Sequence, residues 1–225
     1  MAVIHHTTLK PTKLELLTSW LPSRPWYRGG PADPELTKAG GFRLDDPQGE
    51  VGIEFIVATD ATGDHPITYL VPLTYRGAPL DGAEDALVGT MEHGVLGRRW
   101  AYDGCHDPVL LTQLTALVEG RVQAQQQSLT DTPDRDVAAI YTGEGPLPAD
   151  FTPTDDQEGT RLTSPQGPAL RLHRTLRPAP DGPFSPPRGT TGHLTGVWQL
   201  PDGTRARGVF AVLHSGPGPL GPASS

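Results

Sequence analysis

Glycine and proline constrain the fold of this chain more than any other sequence feature. Of its 225 residues, 27 are glycine and 25 are proline. Proline breaks helix interiors and glycine weakens them, so these frequencies exclude a compact all-helical protein. They predict many turns together with some disordered segments. The length suits one large domain, or one domain with an appendage.

Charge and cysteine content exclude several classes of protein. Eighteen basic residues against 26 acidic residues give a net charge of −8, whereas general nucleic-acid binding requires a basic face. The single cysteine, Cys105, excludes an internal disulfide framework and a cysteine-based zinc cluster. The first residues do not have the pattern of a signal peptide, and no apolar run is long enough to span a membrane. We therefore expect a cytoplasmic protein.

Two segments have the pattern of amphipathic helices. Thr12 and Glu15 form a capping-box pattern at the start of residues 13–20, which predicts a short helix. Asp107 is a suitable N-cap for a longer helix over residues 108–122. Leucine recurs at spacings of three and four residues in both segments, so each helix has an apolar face that must pack against another element.

Alternating apolar and polar residues predict an antiparallel sheet between the two helices. The strand candidates are residues 41–45, 51–60, 67–76 and 95–102. Short turn sequences separate the first three strands, which is typical of antiparallel neighbours. Apolar residues share one side of each strand, so we expect the sheet to have one apolar face.

The C-terminal third contains a hairpin pattern. Asp202-Gly203 lies between alternating apolar runs, which predicts a β-hairpin over residues 194–213. An isolated two-stranded hairpin is marginally stable in water, so this one should dock onto the preceding sheet or pair with residues 160–176. We expect Trp198 to be its buried anchor.

Residue types typical of catalysis occur without catalytic spacing. Cys105, His106 and Asp107 are consecutive, so their side chains diverge, and Asp107 is accounted for as a helix cap. His5 and His6 would point to opposite faces of a strand and cannot share a metal ion. The acidic pairs and glycine pairs fit turns better than acid–base or phosphate-binding chemistry. We predict no catalytic residue, no metal site and no cofactor.

An aromatic surface is the remaining candidate for binding. Aromatic rings can stack on a sugar or anchor a protein partner, although rings beside a helix are more often part of a core. The candidate ligand or partner contacts are Trp26, Tyr27, Trp100 and Tyr102.

Three motifs resemble the maltokinase N-terminal cap domain family. They are Trp20-Leu21 followed by Pro25-Trp26-Tyr27-Arg28-Gly29, which resembles a "WL…RW[FY]xG" opening; Tyr69-Leu70-Val71-Pro72-Leu73, which resembles a "Y.VPL" strand; and Tyr102-Asp103 running into Asp107-Pro108, which resembles a "YDxxxDP" closing segment. Their order and spacing agree with the family over about residues 1–127. The chain is also similar to small actinobacterial proteins that carry this cap-like region.

The resemblance implies an α+β fold. It would be a cystatin-like antiparallel sheet packed against one long helix and one short N-terminal helix, with a C-terminal β-hairpin extension. The resemblance and the residue patterns together divide the chain into four parts. These are a cap-like domain over residues 1–127, a linker over 128–157, a β-hairpin region over 158–214 and a disordered tail over 215–225. In the family's kinases the cap precedes a two-lobed body with the catalytic residues and the ATP cleft. The residues after 127 have no HxD…N…D arrangement, so no kinase residue can be carried over.

The functional expectation is a non-catalytic module in maltose, trehalose or α-glucan metabolism that binds or modulates a kinase-type partner. Two alternatives remain open: a small-molecule, sugar-binding module, and an enzyme whose site the sequence does not reveal. A deep pocket lined by Trp26 and Trp100 would favour a ligand module. A filled interior with an exposed apolar edge would favour a partner, and clustered acid, base and nucleophile side chains would favour an enzyme.

Overall fold

The computed structural model describes residues 9–129, 131–179 and 188–216, and within them the chain forms two α-helices and fourteen strands. The helices are α1 (Lys13–Trp20) and α2 (Pro108–Val118). The strands are β1 (Leu9–Lys10), β2 (Leu36–Leu44), β3 (Gly52–Asp60), β4 (Ile67–Arg76), β5 (Leu87–His93), β6 (Gly97–Asp103), β7 (Gln125–Gln126), β8 (Ala138–Tyr141), β9 (Thr152–Asp156), β10 (Gly159–Thr163), β11 (Ala169–Leu172), β12 (Thr175–Leu176), β13 (Thr190–Gln199) and β14 (Arg205–His214). In this part of the chain, no helix is long and apolar enough to cross a membrane.

Both helices begin where their caps predict. The Thr12 hydroxyl accepts a hydrogen bond from the Glu15 backbone amide at 3.2 Å, and the Glu15 carboxylate accepts one from the Thr12 amide at 2.7 Å. This confirms the capping box. Asp107 Oδ1 accepts from the Val109 amide at 2.9 Å, which confirms the second cap. However, α2 ends at Val118 and not at residue 122, because Gly120 adopts a φ of 73°, the left-handed conformation that terminates helices.

The predicted α+β, cystatin-like fold with one long helix is wrong. The described residues are mainly a large antiparallel sheet, and both α-helices are short, with 8 and 11 residues. The strand order is β1-β5-β6-β4-β3-β2-β13-β14-β11-β10-β9. The C-terminal strands are therefore not an extension of a cap but members of the same sheet.

The strand pairings also close on themselves. β2 pairs with β13 at Gly40 and Trp198, and β14 pairs with β11. The chain then continues through β12, where Thr175 pairs with Tyr69 of β4. β4 pairs with β3, and β3 pairs with β2. The pairing therefore closes into a ring of six positions, in which β11 and β12 together occupy one: β2, β13, β14, β11–β12, β4 and β3. The backbone amide of Leu70 donates to the Arg174 carbonyl at 2.9 Å and reinforces this closure.

The strands with clear alternation lie where the sequence predicts. β3 and β4 match their predicted ranges within one residue, whereas β2 begins earlier, at Leu36. The predicted strand 95–102 is instead part of a hairpin of β5 and β6, and Val95 lies in its turn with 61% of its surface exposed. A register shift between Leu87 and Gly89 breaks the alternation that would have revealed β5.

The C-terminal hairpin is confirmed. β13 and β14 pair along their length, and the Gly203 amide donates to the Leu200 carbonyl at 2.9 Å in the turn. The hairpin docks in both predicted ways, on β2 and on β11. Trp198, with 2% of its surface exposed, is the buried anchor.

Parts of the predicted linker are ordered as strands. β8 pairs with β13, and β9 pairs with β10. These strands are short, and the sequence of β9, Thr-Pro-Thr-Asp-Asp, has no apolar alternation. The division of the chain into domains stays a prediction. Residues 1–8, which include His5 and His6, and residues 217–225 of the predicted tail lie outside the described residues.

Two buried clusters fill opposite faces of β3. The larger one joins the ring strands to α2: Phe42 stacks on Phe55 at 4.4 Å and on Phe210 at 6.2 Å, next to Leu110 and Leu114 of the helix. The second cluster packs α1 against the other face of β3 and β4; it includes Leu17, Trp20, Trp26, Ile56 and Tyr69. β3 is therefore buried on both sides, and a sheet with a single apolar face is too simple a description.

Candidate functional site

The four predicted contact residues separate into two clusters. Trp26 is fully buried beside α1, where it meets Trp20 edge-on at 5.7 Å and donates through Nε1 to Asp155 at 3.2 Å. Tyr27 is partly buried, stacks on Tyr69 at 5.7 Å and donates to Asp60 at 3.1 Å. Burial and the Asp60 carboxylate raise the pKa of Tyr27. These contacts are those of a packed aromatic core.

Trp100 and Tyr102 lie elsewhere, on β6. They pack with Ala83 and Ala86, and the Tyr102 hydroxyl accepts a hydrogen bond from the Leu80 amide at 2.9 Å. The structure does not bring them together with Trp26 and Tyr27. The role of the four residues in ligand or partner contact stays a prediction.

The Cys105-His106-Asp107 sequence does not form a triad geometry. Cys105 is fully buried, and burial raises the pKa of its thiol. The Asp107 carboxylate is occupied by the Arg76 guanidinium, with two contacts of 2.7 Å, and by the helix cap. Among the described residues, no group of three histidine, cysteine, aspartate or glutamate side chains is arranged to hold a metal ion.

A buried ionic network joins β6 to the C-terminal strands. Arg174 is fully buried; its Nη2 donates to Asp103 at 2.5 Å and its Nε donates to Thr160 at 2.7 Å. The Thr160 hydroxyl in turn donates to Asp155 at 2.5 Å, and the Arg174 guanidinium lies 4.9 Å from the Trp26 ring. Burial alone would lower the pKa of Arg174, but the Asp103 carboxylate outweighs it and the pKa is raised. No local sequence pattern predicts this network, because Arg174 and Asp103 are 71 positions apart in the chain.

A cavity of about 410 Å³ opens between β1, the start of α1 and the strands β2 and β3. Its lining residues are Leu9, Thr12, Lys13, Leu14, Lys38, Glu54 and Ile56. Lys13 forms an ion pair with Glu54, which is buried. Two lysines and a carboxylate therefore line this cavity.

Hydrogen bonds fix the carboxylate of this cavity. Glu54 accepts from Gln127 at 2.9 Å, from the Tyr75 hydroxyl at 2.9 Å and from Lys13. Burial, and then the Glu54 carboxylate, raise the pKa of Tyr75 well above its usual value. Desolvation lowers the pKa of Lys38, against the opposing effect of Glu54. These hydrogen bonds hold the Glu54 side chain in place, whereas the Lys38 side chain has no hydrogen-bond or ion-pair partner in the described part of the chain.

A second cavity, of about 360 Å³, lies where β2 and β13 separate. Its polar lining residues are Asp134, Asp136, Gln199 and Arg205, and Trp198 and Phe42 form part of its wall. The Arg205 guanidinium donates to Asp136 at 2.5 Å. Gly41 also lines this cavity, and no other residue fits there, because a Cβ at its φ of 128° would lie 2.1 Å from the Phe55 carbonyl oxygen. Carboxylate, amide and guanidinium groups at one opening suit a hydroxylated ligand.

Comparison with known proteins finds a match for one segment of this chain. No curated protein matches it. A family model does match the segment that runs from the last residue of α1, through β2–β6, to the N-cap of α2. The resemblance drawn from the three sequence motifs is thereby confirmed: residues 20–107 match the maltokinase N-terminal cap domain.

Proposed function

We propose that this chain acts in the cytoplasm, in maltose, trehalose or α-glucan metabolism, as a non-catalytic module that binds a kinase-type partner and modulates its activity. The match of residues 20–107 to the maltokinase N-terminal cap domain carries the proposal and associates this segment with maltose and α-glucan metabolism.

An open strand edge supports partner binding. β1 pairs only with Glu92 and His93 of β5, so among the described strands the rest of β5 has no neighbour on that side. The β5–β6 turn exposes 61% of Val95 and 46% of Leu96. An open edge next to exposed apolar side chains is a surface that accepts a strand or helix from another protein.

Binding to a purified maltokinase tests the proposal. We expect the chain to bind the kinase in a biosensor assay, and the substitution Val95→Asp to weaken that binding at least tenfold. Leu129→Asp changes an apolar residue with 51% exposure at another part of the surface and serves as the matched control. Absence of binding at micromolar concentrations, or equal weakening by both substitutions, would contradict the proposal.

A sugar-binding module is the second candidate, and the cavity between β2 and β13 favours it. Gln199 and Arg205 are exposed there next to Asp136, so they can exchange hydrogen bonds with sugar hydroxyls. Isothermal titration with maltose should then show binding that Gln199→Ala weakens. Unchanged affinity in that variant would eliminate this cavity as the sugar site.

A further inference from the structure

The distribution of lysine in this chain is uneven. Lysine occurs at Lys10, Lys13 and Lys38, whereas the other basic residues among the 18 are arginine. Lys13 on α1 and Lys38 on β2 line the same cavity. Lys10 lies on β1, next to Leu9, which also lines it. A chain that otherwise uses arginine therefore places its lysines at or beside one cavity.

The charges at this cavity do not cancel. Glu54 is neutralised by Lys13 and held by the Tyr75 hydroxyl and the Gln127 amide. The side chain of Lys38 faces the same cavity but has no hydrogen bond or ion pair with any residue in the described ranges. The cavity thus carries excess positive charge in a chain whose net charge is −8.

Lysine is a suitable cation for a phosphate group. It is a compact charge with three rotatable donors and binds phosphate as a point charge. Two lysines at one cavity can therefore donate to the oxygens of a phosphate group. Leu9, Leu14 and Ile56 form an apolar wall beside the charges. This wall suits the organic part of a phosphate ester better than it suits a hydrated inorganic ion.

We propose that the cavity between β1, α1, β2 and β3 binds a phosphate monoester, with its phosphoryl oxygens at Lys38 and Lys13 and its organic group against Leu9 and Leu14. Lys13 keeps its contact with Glu54 in this arrangement because an ammonium group has three donors. The site does not depend on a kinase partner, so its test is independent of the test of the proposed function.

Isothermal titration with phenyl phosphate, inorganic phosphate and benzoate tests this site. We expect phenyl phosphate to bind most tightly, and Lys38→Gln to weaken its binding at least tenfold. Lys38→Arg keeps the charge and should weaken binding less. The matched control is Lys10→Gln, which removes the same charge beside the cavity and should change the affinity less than twofold.

Several results would overturn the proposal. These are no binding of phenyl phosphate at 10 mM, about the weakest affinity that such a titration resolves, and equal losses in Lys38→Gln and Lys10→Gln. Benzoate binding as tightly as phenyl phosphate would contradict the phosphoryl group. Inorganic phosphate binding as tightly would contradict the ester. Thermal unfolding of each variant verifies folding, and because Lys38 is exposed we expect unchanged midpoints.

Discussion

Arg174 joins the C-terminal strands to β6 through a buried ion pair. It is fully buried and binds Asp103, which is 71 positions away in the chain. Breaking a buried ion pair leaves an uncompensated charge, so Arg174→Met should lower the free energy of unfolding by about 3–5 kcal/mol. Chemical denaturation measures this loss.

Two comparisons make the Arg174 prediction specific. Arg98→Gln breaks the exposed pair with Glu92 and should cost less than about 1 kcal/mol. The double substitution Arg174→Met with Asp103→Leu removes both charges and should recover part of the loss. A cost for Arg174→Met as small as that for Arg98→Gln would show that the network does not stabilise the fold.

His173 should make stability depend on pH. Burial, and then the nearby Arg171, lower the pKa of His173 below its ordinary 6.5. Below about pH 6.5 the unfolded chain therefore binds a proton that the folded chain does not, and stability falls as the pH decreases. The melting temperature should drop between pH 7.5 and 5.5, and His173→Asn should reduce that drop. His65→Asn, at an exposed position, is the control, and an equal effect of the two substitutions would contradict the assignment.

Single residues were predictable where their partners are close in sequence. Thr12, Glu15 and Asp107 cap helices through contacts within three positions, so a local pattern is enough to find them. The partners of Arg174 and Glu54 come from strands that meet only after folding. The two cavities were not predicted for the same reason, and the aromatic residues chosen from the sequence lie mostly in the interior.

Among the helices and strands, α2 packs against the larger core, and a substitution in α2 tests that packing. Leu114 has 1% of its surface exposed and faces the phenylalanines of the ring strands. Leu114→Ala should lower the free energy of unfolding by about 2–5 kcal/mol, as expected for a large-to-small change in a core. Thr112→Ala changes an exposed position of the same helix and is the control. A loss below about 0.5 kcal/mol for Leu114→Ala would mean that this face is not in the core.

Elements were predictable in proportion to their length and alternation. β3, β4 and the β13–β14 hairpin have long apolar alternation or a turn sequence that fixes register. β8 and β9 have four and five residues and acquire their structure from neighbouring strands. Local sequence contains little information about such strands, because their stability comes from pairing.

At the scale of the whole molecule, the sequence indicated that the hairpin would dock but not that the sheet would close. The pairing of Gly40 with Trp198 joins residues more than 150 positions apart, and nothing in either segment specifies the other. The α+β expectation came from the resemblance of the cap segment. It failed because the strands after residue 127 enlarge the sheet, whereas the helices remain short.

Removal of the C-terminal strands should expose the larger core. Deleting residues 158–225 removes Arg174, the ion-pair partner of Asp103, and uncovers Phe42, which stacks on Phe210. We expect a lower melting temperature or insolubility compared with the full chain. The control is a deletion of residues 217–225, which leaves β14 intact. Unchanged stability of the shorter chain would mean that the hairpin is an independent appendage.

The purified chain should not phosphorylate maltose with ATP and magnesium. Phosphoryl transfer requires a positioned base and metal-bound phosphates, and the sequence carries no motif for either. A coupled assay for ADP measures the reaction. Stoichiometric maltose 1-phosphate formation that persists through purification would contradict the non-catalytic assignment.

The cap-like segment and the C-terminal strands share one sheet, so we claim that they fold as one unit. Hydrogen exchange followed by mass spectrometry tests it most directly, because the exchange of buried amides reports the opening of each region. At moderate denaturant concentration, peptides from β3–β4 and from β13–β14 should exchange together with the same free energy of opening. Exchange of β13–β14 at a denaturant concentration where β3–β4 remains protected would contradict the claim.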